Sequence, residues 1–325
     1  MDNFMVINTV SSLDTDPTPE FNARGLAVLH QWETSAMPFD EAIVRFTQLA
    51  HEAIQSKHLA NQGRAEHFLG YLQHYRGNLN TSIMHYDRAR SLFMQVGNEN
   101  RIAIIDLNQG ENYRNKGEFS RARRLYRSAH DAAARLGNLR IQTMAIANEG
   151  LTLLSLKDYG AARQALDEGL RLSNQWVAGE EDFYELRCEI YHGLATLDLI
   201  GENIAEAWQH AQDCLDSASQ EKQPLSLGYA YRIMGEVLTV IPNPAELGVE
   251  NTPDDYYRAA LEAFRNINAE GEMGRTVYCQ AKSLAQRGKR RSAAQMFKEA
   301  MVIFELLGMT DDAAKAAEAQ LLVLK

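Results

Sequence analysis

The chain has 325 residues with 45% hydrophobic and 23% charged side chains, the balance of a folded globular protein, and a formal net charge of −10. That acidity argues against nucleic acid as the main partner, since backbone binding needs a basic face. Three scattered cysteines, Cys188, Cys214 and Cys279, give neither a disulfide framework nor a zinc pattern, and no apolar run approaches the ~20 residues of a membrane helix. The expectation is a cytoplasmic protein with no membrane contact, metal or cofactor.

Residues 1–17 read as a mobile N-terminal arm. They lack the basic start and apolar run of a signal peptide. Thr18, Pro19 and Glu20 then have the form of an N-cap, a first helical position and a first-turn acid, so a helix starts there. From this point the chain repeats itself. Phe39, Ala42, Phe46 and Leu49 open a series that returns as Gly70, Gly77, Leu79, Ser82, Tyr86 and Ala89. Forty residues on stand Gly110, Gly117, Phe119, Ala122, Tyr126 and Ala129, and forty further Gly150, Lys157, Tyr159, Ala162, Leu166 and Gly169. After a slip of a few residues the series resumes as Gly193, Gly201, Ile204, Ala207, Ala211 and Cys214, then as Gly235, Tyr257, Ala260 and Phe264. It ends as Ala281, Gly288, Ala293, Phe297, Ala300 and Gly308. Pro242, Pro244 and Pro253 interrupt it in an irregular insertion, 239–255.

Each unit reads as two amphipathic helices. In RRLYRSAHDAAARLG, for example, Leu125, Ala129, Ala132, Ala133 and Leu136 lie on one stripe. The small residues let helices approach and the aromatics fill the space beside them. One hairpin cannot bury its stripe alone, so neighbours must stack. The repeats span 18–310, and 311–325 reads as a helix capping the open end.

This pattern resembles the tetratricopeptide repeat. Gly110, Tyr113, Gly117, Phe119, Ala122, Tyr126 and Ala129 match its consensus steps, and the likeness covers roughly residues 22–310. A period of forty, against the usual ~34, and missing terminal prolines resemble the long-helix subtype. Kinesin light chains, mitotic-spindle adaptors and bacterial regulators of the maltose-activator and Rap type are of that kind. The resemblance implies an all-α, right-handed α-solenoid of about seven hairpins plus the capping helix. It also implies that the first helix of each unit lines a concave groove. Counting from the small anchor residue, the carried-over groove positions include His67, Tyr71 and His74, then Asn108, Glu111 and Arg114. Asn148 and Leu151 follow, then Arg187 and Tyr191, and finally Arg232. In long-helix relatives an asparagine placed like Asn108 and Asn148 bonds a peptide backbone, and an amide that both donates and accepts suits that task. Leu151, Leu154, Leu194 and Leu197 read either as an apolar groove floor or as ordinary packing.

No phosphate loop, HExxH or GxSxG is present. His67 and His74 are seven residues apart, too far for one metal ion on a helix. The basic run RNKGEFSRARRLYR reads as a solvated face or a dock for an acidic partner. The reading is a non-catalytic scaffold or adaptor that holds a protein or peptide in its groove. The alternative is a peptide- or partner-responsive regulatory subunit acting on a separate effector chain. Homo-oligomerisation through the end repeats stays open.

Overall fold

A computed structural model describes residues 15–175, 184–221, 223–244 and 248–325. Those residues form fifteen helices and no strand. Seven hairpins follow in order: α1 (Pro19–Glu33) with α2 (Phe39–Ser56), α3 (Leu59–Arg76) with α4 (Leu79–Val96), α5 (Glu99–Asn115) with α6 (Phe119–Leu136), and α7 (Leu139–Ser155) with α8 (Tyr159–Ser173). Then come α9 (Tyr184–Ile200) with α10 (Ile204–Glu221), α11 (Pro224–Val240) with α12 (Pro253–Asn266), and α13 (Glu270–Gln286) with α14 (Arg290–Leu307). A single helix, α15 (Thr310–Leu324), packs on α14.

The anchor glycines make each hairpin close. A Cβ on Gly70 would stand 2.6 Å from the Tyr86 ring, and one on Gly110 would stand 2.4 Å from the Tyr126 ring. Glycine therefore lets the second helix press its aromatic side chain onto the backbone of the first. The knobs of this row, Phe46, Tyr86, Tyr126, Leu166, Tyr257 and Phe297, are all buried. Burial of each such side chain is worth about 2–3 kcal/mol.

Between the helices the chain takes the left-handed conformation once per turn. Gly77, Gly117 and Gly288 supply it at φ +90°, +76° and +77°. In the fourth unit Lys157 accepts it at φ +63° without glycine. The fifth unit differs from the sequence reading, because the left-handed residue is Glu202, at φ +59°, and not Gly201. The insertion is also shorter than 239–255. Helix α11 continues through Val240, and Pro253 opens α12 as its first residue, behind a Thr252–Asp255 capping box.

Most of the expected N-terminal arm, residues 1–14, lies outside the described residues. Its last residues are tied down: Asn98 Nδ2 donates to the Thr15 carbonyl at 2.9 Å and to Asp16 Oδ1 at 3.0 Å. The Thr18 N–H donates to Asn61 Oδ1 at 2.9 Å.

The helices α3, α5, α7, α9, α11 and α13 form the inner layer, each touching the next, and α13 also touches α3. The inner layer is thus a closed circuit. Arg275 on α13 donates to Asn115 Oδ1 at 2.9 Å, across 160 residues of sequence. The Arg76 guanidinium faces Glu270 at 3.8 Å, and Thr310 Oγ1 donates to the Lys116 carbonyl at 3.4 Å. Leu79 shares an apolar cluster with Val277, Phe304 and Met309. Gly77 and Gly117 sit against Leu307 and Asp311, where a Cβ would come within 2.7 and 2.8 Å.

Candidate functional site

The small anchors fix which residues face inward, so the site follows from the register. In the third unit Gly110 places Arg114 and Asn115 on the inner face, and in the fourth Gly150 places Leu151, Leu154 and Ser155 there. These line one cavity of about 200 Å³, together with Glu189, His192, Thr196, Tyr229, Arg232, Glu272 and Arg275. Phe119, Asp311, Asp312 and Lys315 form the rim where α15 meets the third unit. Its inner-face lining comes from five helices, α5, α7, α9, α11 and α13.

The fifth unit corrects the sequence reading. Gly193 faces backwards, since a Cβ there would stand 2.9 Å from Leu151 and from Leu166. Ala195 fills the anchor place, packed in one cluster with Ala207 and Ala211. Shifting the register by two residues puts Glu189, His192 and Thr196 inward. Arg187 and Tyr191 do not line the cavity: Arg187 donates to the Ser173 carbonyl at 2.8 Å, and the Tyr191 ring packs 6.1 Å from His210. Leu194 and Leu197 are core residues beside Leu166. A signal for this register was present in the sequence. Gly70 to Tyr86, Gly110 to Tyr126, Gly150 to Leu166 and Ala281 to Phe297 are all steps of sixteen, and Ala195 to Ala211 is another.

The other expected residues fall into two groups. His67 with Asn108 and His74 with Glu111 meet between α3 and α5, while Tyr71 turns toward α1. His67 Nε2 lies 2.8 Å from Asn108 Nδ2, and its Nδ1 lies 2.9 Å from an Arg64 nitrogen. Burial, then the charges of Arg64 and Arg101, hold the His67 ring well below its ordinary pKa, so it is neutral. His74 Nδ1 lies 2.8 Å from Asn112 Oδ1, which continues to Ser82 and the Gly70 carbonyl. Glu111 faces His74 Nε2 at 3.8 Å, and the Tyr71 hydroxyl lies 3.4 Å from Glu33 Oε1 and 3.3 Å from the Tyr75 hydroxyl. Asn148 is buried in α7, and its Oδ1 has no hydrogen-bond partner. Arg114, Leu151 and Arg232 are the expected residues that line the cavity.

Charge within the cavity is ordered. Glu272 accepts from Arg232 at 2.6 Å and from Arg275 at 2.5 Å. Burial alone would raise its pKa, but the two guanidiniums outweigh that and hold the carboxyl well below the usual carboxylate range. Arg275 also donates twice to Asp312, at 3.1 and 3.0 Å, and Lys315 pairs with Asp311 at 2.6 Å. Burial, with help from Arg232, lowers the His192 pKa to about 4, leaving a neutral imidazole whose Nε2 has no partner. Arg114 Nε is likewise buried without a partner. Burial opposes the Arg114 charge, while Tyr126, Glu111 and Glu189 around it hold the guanidinium above its ordinary value.

Four of the basic run's cations are paired with carboxylates, two of them with Glu149 and two with Glu118 within the run. Arg123 and Arg127 both donate to Glu149 on α7, at 3.0 and 3.3 Å, and Lys116 and Arg121 pair with Glu118. The described residues contain no His, Cys, Asp or Glu cluster that could hold a metal ion.

With this architecture, the chain has the fold of an all-α solenoid of tetratricopeptide-like hairpins. It is similar to the apo form of RapI, with a TM-score of 0.60 and 12% identity over 88% of this chain and 99% of that one. It is similar to the Rap conjugation gene regulator of the plasmid pLS20 in complex with a Phr peptide, at a TM-score of 0.57 and 13% identity over 95% and 97%. It is also similar to a Rap protein complexed with competence and sporulation factor, at a TM-score of 0.55 and 12% identity over 94% and 98%. No protein-family model and no curated protein matches the sequence.

Proposed function

We propose that this protein is a non-catalytic, peptide-binding scaffold of the long-helix tetratricopeptide kind, with its ligand on the inner face of the solenoid. The observation that carries this reading is the inner cavity. It combines leucines with buried polar atoms that lack partners, and an unmade buried hydrogen bond costs about 1–3 kcal/mol until something supplies it. Two of the similar structures, a Rap protein with competence and sporulation factor and the pLS20 regulator with a Phr peptide, are complexes, which supports the same use of this fold. Two of the carboxylates that converge here serve ion pairs: Glu272 is held ionised by two arginines and Asp312 is held by Arg275, an arrangement unlike an acid–base pair poised for proton transfer.

One observation favours the regulatory form of this reading. Arg275 lines the cavity and also reaches Asn115. A ligand beside Arg275 therefore acts on a bond that ties α13 across to α5, and a separate effector chain would sense the change. No helix among the described residues is long and apolar enough to cross a membrane.

The test is retention of a randomised hexapeptide library on immobilised protein, read by mass spectrometry. The wild type should retain a defined subset, and Leu151→Asp, which puts a charge on the cavity wall, should lose it. Retention of nothing by the wild type, or equal retention by both forms, would overturn the reading.

A further inference from the structure

Arg114 is the cavity cation that has no carboxylate in contact. Arg232 and Arg275 share Glu272, and Arg275 and Lys315 hold Asp312 and Asp311. Glu111 lies toward His74, at 3.8 Å, and among the described residues no carboxylate makes an ion pair with Arg114. Its Nε–H is buried and unmet, although a guanidinium is built to offer Nε–H and Nη–H together as a fork. Tyr126, Glu111 and Glu189 favour its charge, the two carboxylates without contacting it, so the fork itself is left for a ligand that brings a contact anion.

The shape of the cavity narrows the choice. At about 200 Å³ it is smaller than the roughly 300–1,000 Å³ of pockets that hold whole small molecules. That is room for one side chain or one chain terminus. Leu151 and Leu154 on the wall suit methylene groups, and His192 adds a second buried nitrogen without a partner.

We propose that the cavity takes a carboxylate on a short aliphatic stem, anchored by Arg114. The proposal rests on the peptide-binding reading and specifies it. The carboxylate comes either from an aspartate or glutamate side chain or from a peptide C-terminus, and the two sources share the same chemistry at Arg114.

The test uses a positional hexapeptide library in C-terminally amidated and free-acid forms, applied to wild type, Arg114→Gln and Arg114→Lys. In the amidated form the wild type should enrich Asp or Glu over Asn or Gln at one position by about tenfold or more. If the terminus is the anchor, the same preference appears instead as free acid over amide. Arg114→Gln should still retain peptides but lose the preference, and Arg114→Lys, which keeps the charge without the fork, should keep part of it. Thermal unfolding checks that each variant is folded, and Arg114→Lys carries the comparison if Arg114→Gln does not fold. Peptides retained with no carboxylate preference in either form overturn this proposal alone, as does a preference undiminished in Arg114→Gln. Retention of no peptide at all by the wild type overturns both this proposal and the reading beneath it.

Discussion

Replacing Arg275 by methionine keeps an unbranched, largely apolar stem and removes the charge that links α13 to α5 and α15. Four hydrogen bonds disappear: two to Asp312, one to Glu272 and one to Asn115. Glu272 keeps Arg232 at 2.6 Å, while Asp312 is left with Lys315 at 3.9 Å. Removing one partner of a buried pair costs about 3–5 kcal/mol, and the surviving Arg232 places this case near the lower end, at about 3 kcal/mol. For a chain of this size that is a fall of about 5 °C in the thermal midpoint, followed by circular dichroism. Small-angle scattering should show a larger radius of gyration, because the links from α13 and α15 to the second and third units weaken. The gap between the two proteins should depend on pH. The folded-state pKa of Glu272 lies below its unfolded value of ~4.3, so its contribution is present above that value and is lost as pH falls through the folded one. The gap should therefore be full at neutral pH and narrow in acid. Arg24→Met, which breaks an exposed pair with Glu52, serves as the control and should cost less than about 1 kcal/mol. An Arg275→Met midpoint within about 1 °C of wild type, with unchanged dimensions, would refute the reasoning.

Gly110→Ala and Gly160→Ala should move stability in opposite directions in urea unfolding. The first forces a Cβ to 2.4 Å from Tyr126 and should cost about 1–3 kcal/mol, while the second meets nothing within 4 Å and should gain about 0.4–1 kcal/mol. His192, with its pKa lowered to about 4 in the folded protein, contributes fully above its unfolded value of ~6.5 and progressively less between the two, by about 3 kcal/mol in all. A His192→Gln variant should accordingly show a flatter dependence of the midpoint on pH across that window. Thr252→Ala removes the capping box of α12 and should cost about 1 kcal/mol, with faster amide exchange in the first turn of that helix.

The hairpins were legible because their information is local. Glycine, aromatic and alanine recur at fixed steps, and each step places a side chain on one face of one helix. Arg114, Leu151 and Arg232 could be placed at the site in this way. The fifth unit failed because its anchor is Ala195 and its knob is Ala211, so the bulky marker was absent and a nearby glycine stood in for the anchor. The two-residue error hid Glu189 and His192. Asn108 lies against His67, a partner that only the neighbouring unit supplies and that no pattern within its own unit encodes.

The sequence by itself determined the repeat, the alternation of inner and outer helices and the side chains each presents, since all of these follow from periodicity within a few turns. The closed circuit, the link from Arg275 to Asn115 and the cavity they flank were decided only in three dimensions. Successive hairpins differ by a small rotation, and those rotations accumulate over the whole stack. No local pattern encodes their sum, so which distant helices finally touch is a property of the assembled solenoid.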